Sequence, residues 1–355
     1  MGQIAKEKLS KCNTFKIGIT GSVGKTTTRN MIYEVLNNKS FKNKGNKNNE
    51  IGVPLTILDM DYDTDNLVIE MGMDKKGDLS YLADIVRPDI AIITNIGLSH
   101  IKNFNSEFDI FMAKFEITKY FKDNNILIIN GDDKYLKTLK TKNYKYKIYS
   151  VGFLKFNDLY IESYRYNNGI IYFKVNDIDY EFSVNTRSKL LLYNALFAIF
   201  VGKYKNISYE DINKGLNNYK NEERRLEVLN GRSWMIINDC YNSSLTSIES
   251  ATDYLYSYDN RRVCILGDIL ETGKYNREIH EKIAKYLYNT DIFIAIGDDI
   301  KYTYDLVKDK QISYYFKNID DFFKEYKNIL EKDDIILVKA SNGCGFKKIV
   351  ERLVV

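Results

Sequence analysis

The feature that most restricts this chain is a glycine-bearing junction near its start, where a short apolar segment, Phe15–Thr20, runs into a helix-patterned stretch over residues 26–36. Met31, Ile32, Val35 and Leu36 recur there at helical spacing. Between the two lies Thr20-Gly21-Ser22-Val23-Gly24-Lys25-Thr26-Thr27. A strand that turns through glycine into a helix aims backbone N–H groups and the positive end of the helix dipole at one point, which suits an anion. In such a loop the lysine reaches the outer phosphates of a nucleotide and the following hydroxyl ligates magnesium. The sequence therefore predicts a nucleotide and Mg2+ bound through Gly21, Ser22, Val23, Gly24, Lys25, Thr26 and Thr27. The strict form of the pattern also has glycine five residues before Gly24, where Ile19 stands. An ordinary strand-to-helix turn does not account for the run Gly-Lys-Thr-Thr-Thr. Switches, transporters, kinases and ligases share such loops, so the loop alone names no reaction.

Strand and helix patterns continue to alternate beyond it. Residues 67–71, 89–94 and 126–130 read as strands, and 78–86 and 106–121 as helices. That rhythm predicts an α/β fold, a P-loop domain on a mostly parallel, doubly wound sheet with ligands at the C-terminal ends of its strands. Over residues 144–184 the pattern shifts to short alternating segments broken by Asn-Gly and Asn-Asp, which predict a small antiparallel meander. Helical periodicity returns over 188–203 and 209–219. The charged connection 220–225 then marks the boundary between a central ATP-binding domain, 1–222, and a C-terminal Rossmann-like α/β domain, 223–355. In the second domain, strands are expected at 234–238, 263–266, 292–296 and 335–339, and helices at 246–257 and 276–288.

With 355 residues, 44% hydrophobic and 28% charged, the chain has the composition of a soluble two-domain protein. A net charge of +4 spread among interspersed acids gives no basic stripe for nucleic acid. The Lys/Asn-rich stretch 39–49 reads as a solvated surface loop. Cys12, Cys240, Cys264 and Cys344 lie far apart with no C-x-x-C pair, which favours reduced thiols over a zinc site or a disulfide framework. The longest apolar stretch, 190–201, contains Tyr193 and Asn194 and is too short to span a bilayer, and residues 1–9 lack a signal-peptide core. A cytoplasmic location without membrane insertion is expected.

Further segments follow in order: Asn48-Asn-Glu-Ile-Gly-Val-Pro-Leu-Thr56, Ile69-Glu-Met-Gly72, Arg87-Pro-Asp-Ile-Ala-Ile-Ile-Thr-Asn-Ile-Gly97 with Ser99-His100, and Ala113-Lys-Phe-Glu-Ile117. Asp239-Cys-Tyr-Asn242, Leu266-Gly-Asp268 and Val338-Lys-Ala-Ser341 complete the set. Together with the loop they resemble the Mur ligases, which build the peptide stem of bacterial cell wall, and within that family the D-alanyl-D-alanine-adding branch. The resemblance covers nearly the whole chain. Members usually begin with a separate domain that holds a UDP-sugar substrate, whereas nineteen residues precede Thr20 here, so the similarity is to the central and C-terminal domains. A protein partner supplying the substrate domain is one expectation that follows.

The resemblance implies an ATP-dependent amide ligase that joins a small-molecule carboxylate to an amino acid or dipeptide through an acyl phosphate, releasing ADP and phosphate. It implies that Thr26, Glu70 and His100 hold magnesium, with Lys25 and Lys114 completing the catalytic set. Lys114, among Phe111, Met112 and Phe115, occupies a position that in the family is commonly an N-carbamylated lysine; an unmodified lysine there would be expected to snorkel to solvent. Asn194, Arg225, Asp239 and Asn242 match nucleotide-contacting positions, with a register of one residue open between Arg224 and Arg225. Lys339 and Ser341 match positions associated with the incoming amine. The family often has glycine and arginine where this chain has Ala340 and Asn342. His280 reads as a satisfied helix histidine. The alternatives are a ligase acting on a non-UDP carboxylate outside cell-wall synthesis, and a P-loop ATPase or regulatory subunit of a larger complex.

Overall fold

The computed structural model describes residues 1–37, 39–99 and 101–355. The chain divides into two compact units, one of residues 1–97 and 103–220, the other of residues 98–102 and 221–355.

The first unit is built on one nine-stranded sheet. Its strands are β1 (Phe15–Thr20), β2 (Ser40–Lys42), β3 (Asn66–Glu70), β4 (Ile90–Ile93), β5 (Ile126–Asn130), β6 (Lys147–Gly152), β7 (Leu159–Asn167), β8 (Ile170–Val175) and β9 (Glu181–Val184). Their order across the sheet is β2-β3-β1-β4-β5-β6-β7-β8-β9. β1 lies parallel between β3 and β4, with Ile19 level with Glu70 on one side and Ile92 on the other. The chain reaches β3 on one flank of β1 and β4 on the opposite flank, so the topological switch point of the sheet falls at the C-terminal end of β1. The glycine loop begins there.

These strands form because β1, β3, β4 and β5 are nearly continuous apolar runs. That is the composition of strands covered on both faces. Met31, Ile32, Val35 and Leu36 of the helix Lys25–Leu36 enter the same core as Leu192, Ala195, Leu196 and Ile199 of the helix Leu191–Tyr204. The second of these helices carries apolar residues on nearly every side and is correspondingly buried.

Three expectations change here. In the alternating stretch after residue 144, β7, β8 and β9 form the antiparallel meander expected, but β6 runs parallel to β5 and β7 parallel to β6, so the meander begins later and extends the central sheet. The short crossover from β6 to β7 is possible because Asp132 accepts from the Phe153 N–H at 2.6 Å and the Asn157 amide at 2.8 Å. The helix expected over 106–121 ends at Phe115 and tightens into a 3₁₀ turn, Glu116–Thr118. Part of the stretch 39–49 is ordered interior rather than solvated loop, with β2 on the sheet edge and Asn43 fully buried.

In the second unit, β10 (Glu227–Asn230), β11 (Met235–Asn238), β12 (Arg262–Gly267), β13 (Ile292–Ile296), β14 (Ser313–Phe316) and β15 (Ile335–Lys339) form a six-stranded sheet ordered β10-β11-β15-β12-β13-β14. All its pairs are parallel except β10 with β11, and the helices Leu245–Leu255, Asn276–Ile283, Lys301–Val307, Ile319–Ile329 and Lys347–Val354 connect or follow the strands. This is the Rossmann-like rhythm expected, with β10 and β14 added at the edges. The four cysteines are free thiols, and among the described residues no helix is long and apolar enough to cross a membrane.

Candidate active site

The missing glycine of the strict loop pattern has a structural reason. Ile19 remains in β1 as a fully buried core residue, and the chain turns two residues later, at Gly21, with φ of +149°. The segment after β4 grips the loop from beside it. Asn95 accepts from the Val23 N–H at 2.9 Å and returns its amide to the Val23 carbonyl at 2.9 Å, while the Thr94 hydroxyl donates to that carbonyl at 2.6 Å. Ser22 donates its hydroxyl to the Gly97 carbonyl and accepts the Gly97 N–H at 2.8 Å. Ser22 and Val23 thus shape the loop, while the helix that follows starts at Gly24 (φ +84°) with no side-chain cap. Its first-turn N–H groups have no partner inside the helix and face the loop's hollow. The Thr20 hydroxyl, at the entrance, is buried with no hydrogen-bond partner among the described residues. An uncapped helix N-terminus, an unpaired buried hydroxyl and two glycines with positive φ fit a nucleotide phosphate chain.

Lys25 folds back over the loop, its ammonium donating to the Gly21 carbonyl at 2.8 Å and to Ser22 at 3.3 Å. One residue on, the Thr26 hydroxyl donates to Glu70 Oε2 at 2.6 Å. Glu70 ends β3 at 2% exposure, and besides Thr26 its surroundings include Asn48, from the segment 48–56, and two residues that carry no motif, Asn43 and Arg29. The Asn48 amide donates to Glu70 Oε1 at 2.7 Å. The Asn43 side chain accepts the Glu70 N–H and donates to the Glu70 carbonyl, both at 2.9 Å. Arg29 Nη1 lies 3.7 Å from Oε2. The one sequence signal that pointed to Arg29 is its spacing: three residues after Thr26, it shares a helical face with it.

Lys114 is buried, at 2% exposure, and does not reach solvent as an ordinary lysine on such a helix would. Burial first, and the Lys25 charge second, hold its ammonium well below the ordinary lysine range. Among the described residues none accepts a hydrogen bond from its Nζ. Because the unfolded chain binds a proton there that the folded chain resists, stability rises with pH toward the ordinary lysine value of 10.5. Lys114→Met is therefore expected to raise the thermal midpoint at neutral pH in buffer freed of CO2, with the gain shrinking as pH approaches that value. A fall in the midpoint would show that the lysine is not strained. His100 lies outside the described residues.

Asn194 supports the loop from below. Its amide donates to Thr28 Oγ1 at 2.8 Å and to the Gly24 carbonyl at 3.2 Å, so its amide hydrogens face the protein and not an open purine site.

In the second unit the open register resolves into two different placements. The Arg225 guanidinium lies 4.1 Å from the Tyr241 ring centroid, and its Nε is buried without a hydrogen-bond partner among the described residues. Arg224 turns instead to Asn342, donating to its side-chain carbonyl at 3.3 Å. Lys339, expected to meet the incoming amine, is 1% exposed and pairs with Asp239 at 2.5 Å, with a further bond to the Asn242 carbonyl at 2.9 Å. Its ammonium is committed inside the protein. Ser341 accepts the Leu270 N–H at 2.9 Å and is likewise buried. His280, fully buried, accepts the Ile269 N–H through Nε2 at 3.0 Å and lies 2.8 Å from the Asn276 carbonyl through Nδ1, the satisfied histidine that was expected.

A glycine-bearing loop at the switch point of a parallel sheet, running into a helix N-terminus without a side-chain cap, with a lysine above it and a hydroxyl and carboxylate at its rim, defines a P-loop nucleotide-using enzyme. Comparison with known proteins narrows that class. Residues 19–202 match the family described as Mur ligase middle domain, and residues 224–342 match Mur ligase, glutamate ligase domain. The chain belongs to the Mur ligase family, ATP-dependent ligases that form peptide bonds.

The UDP-N-acetylmuramoyl-tripeptide--D-alanyl-D-alanine ligase of Bacillus subtilis is 34% identical over 99% of this chain and 78% of its own length. The solved structure of the MurF ligase from Thermotoga maritima in complex with ADP is 26% identical with a TM-score of 0.88, covering 99% of this chain and 82% of that one. MurF from Acinetobacter baumannii, at 23% identity and a TM-score of 0.92 over 99% of this chain and 79% of that one, shares the fold. This chain is accordingly a MurF-type ligase of peptidoglycan synthesis.

Proposed function

We propose that this chain uses ATP and magnesium to convert the terminal carboxylate of a muramoyl tripeptide into an acyl phosphate, which the amine of D-alanyl-D-alanine then attacks. The observation that carries the reading is the 2.6 Å contact between Thr26 Oγ1 and Glu70 Oε2 at the rim of the phosphate loop. Magnesium takes oxygen ligands and keeps waters and phosphate oxygens, so one hydroxyl and one or two carboxylates suffice. Among the described residues no three His, Cys, Asp or Glu side chains gather into an all-protein metal cage, and such a site needs none. When bound, the metal would neutralise charge on the outer phosphates.

The remaining steps fall to side chains. Lys25 stabilises negative charge that builds on the transferring phosphoryl group. Asn43 and Asn48 hold Glu70 in its ligating orientation. Burial disfavours the Lys114 ammonium, so its free amine can attack CO2 with loss of a proton, and the resulting carbamate would place an anionic oxygen donor in the site. His100 completes the proposed ligand set. Asn194 is assigned to the nucleotide indirectly, through the Gly24 carbonyl it supports. Arg225, whose Nε makes no hydrogen bond among the described residues and lies 3.8 Å from Glu222 Oε2, and Asn242 are assigned to nucleotide contact, with Asp239 held in place by Lys339. Ser341 is assigned to the amine side of the reaction.

The names of the relatives supply the two substrates, and one incubation tests them. With ATP, Mg2+, UDP-linked muramoyl tripeptide and D-alanyl-D-alanine, the expected result is ADP release that requires both substrates, with a pentapeptide product identified by mass. Product formed only with a carboxylate lacking the UDP-sugar would replace the substrate proposal. Nucleotide-dependent binding to a protein without any amide product would replace the enzymatic one.

A further inference from the structure

We infer that Arg29 is a resident counter-cation of Glu70 that makes divalent-metal binding depend on the nucleotide, an inference that rests on the reading of Glu70 as a metal ligand. Arg29 is 1% exposed on the first turns of the helix Lys25–Leu36. Its Nη1 is 3.7 Å from Glu70 Oε2, the same oxygen that accepts the Thr26 hydroxyl. The guanidinium is held there from behind. Nε and Nη2 donate to Asn30 Oδ1 at 3.2 and 3.1 Å, and Nη1 reaches the Gly45 carbonyl at 3.4 Å. Lys42 donates to the same Asn30 oxygen at 3.0 Å, which places a second cation behind the first.

A carboxylate this deeply buried needs a paired positive charge, and an arginine side chain stays charged at every accessible pH. Glu70 is therefore already neutralised in the protein without metal. A divalent ion entering alone would meet a fixed guanidinium across one carboxylate, and like charges at such distances in a poorly screened site repel strongly. Two or three phosphate charges would reverse the balance, because the net field around Glu70 would then attract a divalent ion. Metal and nucleotide should bind as a unit, each strengthening the other by the same factor. The arginine also helps to aim Glu70: Arg29 and Asn48 flank its carboxylate while Asn43 holds its backbone.

The test uses Mn2+ as a paramagnetic probe of the magnesium site, titrated into the whole protein with and without ADP and read by electron paramagnetic resonance. Wild type is expected to bind Mn2+ at this site only in the presence of ADP. Arg29→Gln is expected to bind it without nucleotide at least about tenfold more tightly than wild type, while Arg29→Lys, which keeps the charge, behaves as wild type does. Wild type binding Mn2+ equally well with and without ADP overturns the inference, as does a folded Arg29→Gln protein that shows no gain. If Arg29→Gln does not fold by circular dichroism, the wild-type pair of titrations decides alone. Adding Glu70→Gln to Arg29→Gln separates the two readings. Loss of the gained binding supports both, whereas a gain that survives removes Glu70 from the ligand set and leaves the repulsion by Arg29 standing.

Discussion

Lys25→Ala is expected to lower ligation by about a thousandfold or more while leaving the thermal midpoint near that of wild type. The two halves of this expectation come from different contacts. The Lys25 ammonium donates to two carbonyls of its own loop, at Gly21 and Ser22, and the residue is only half-buried and belongs to neither apolar core, so its removal opens no cavity there. Alanine is the strongest helix former, and the first turn of the helix remains. What disappears is the mobile positive charge above the site of the outer phosphates, which is needed most when charge builds on the transferring group. Steady-state kinetics and a thermal melt on the same preparation check both halves. Near wild-type turnover in the variant would mean that the loop does not serve the reaction.

Gly21→Ala is expected to abolish ADP binding measured by calorimetry and to destabilise the fold by about 2–4 kcal/mol. At φ of +149° the backbone there is one that residues with a Cβ rarely adopt. An added Cβ would overlap Thr94 Oγ1 and stand 3.0 Å from Thr94 Cβ and 3.1 Å from its backbone nitrogen. That neighbour cannot swing aside. Thr94 follows β4, bonds to the Thr20 carbonyl through its N–H, and holds the Val23 carbonyl through its hydroxyl. The loop must give way, and its N–H groups lose their common aim. Gly45→Ala provides the contrast: φ is also positive, at +55°, but nothing lies within 4 Å of the new Cβ. Only the backbone term remains there, about 1–2 kcal/mol. Equal effects at the two positions would contradict the steric account.

The parts of this molecule that could be read from its sequence are those fixed by local pattern. Apolar runs such as 126–130 and 292–296 are strands because nothing but a covered sheet can bury every side chain of so short a segment. The loop was legible because strand, glycine and helix are consecutive. The surroundings of Glu70 were not. Asn43, Asn48 and Lys42 sit in a stretch whose composition is that of a solvated loop; Asn43 and Asn48 are drawn inward by hydrogen bonds to Glu70, 27 and 22 positions away, and Lys42 by one to Asn30, 12 positions away, which leave no period in the sequence. Lys339 shows the same limit. Its partner Asp239 is 100 residues distant, and only folding reveals that the pair neutralises itself instead of facing a substrate. The parallel pairing of β6 escaped for a different reason: alternating residues suit either pairing, and the decision lies with Asp132 and the crossover it holds.

The central claim is that ATP activates a carboxylate before the amine attacks. It is tested most directly by supplying the tripeptide substrate with its acceptor carboxylate labelled with oxygen-18. If an acyl phosphate forms, one labelled oxygen leaves with the inorganic phosphate for each amide bond made, and mass spectrometry of the released phosphate will show that shift. Phosphate that carries no label while amide product accumulates would contradict the account, because the carboxylate oxygen would then have left by another route.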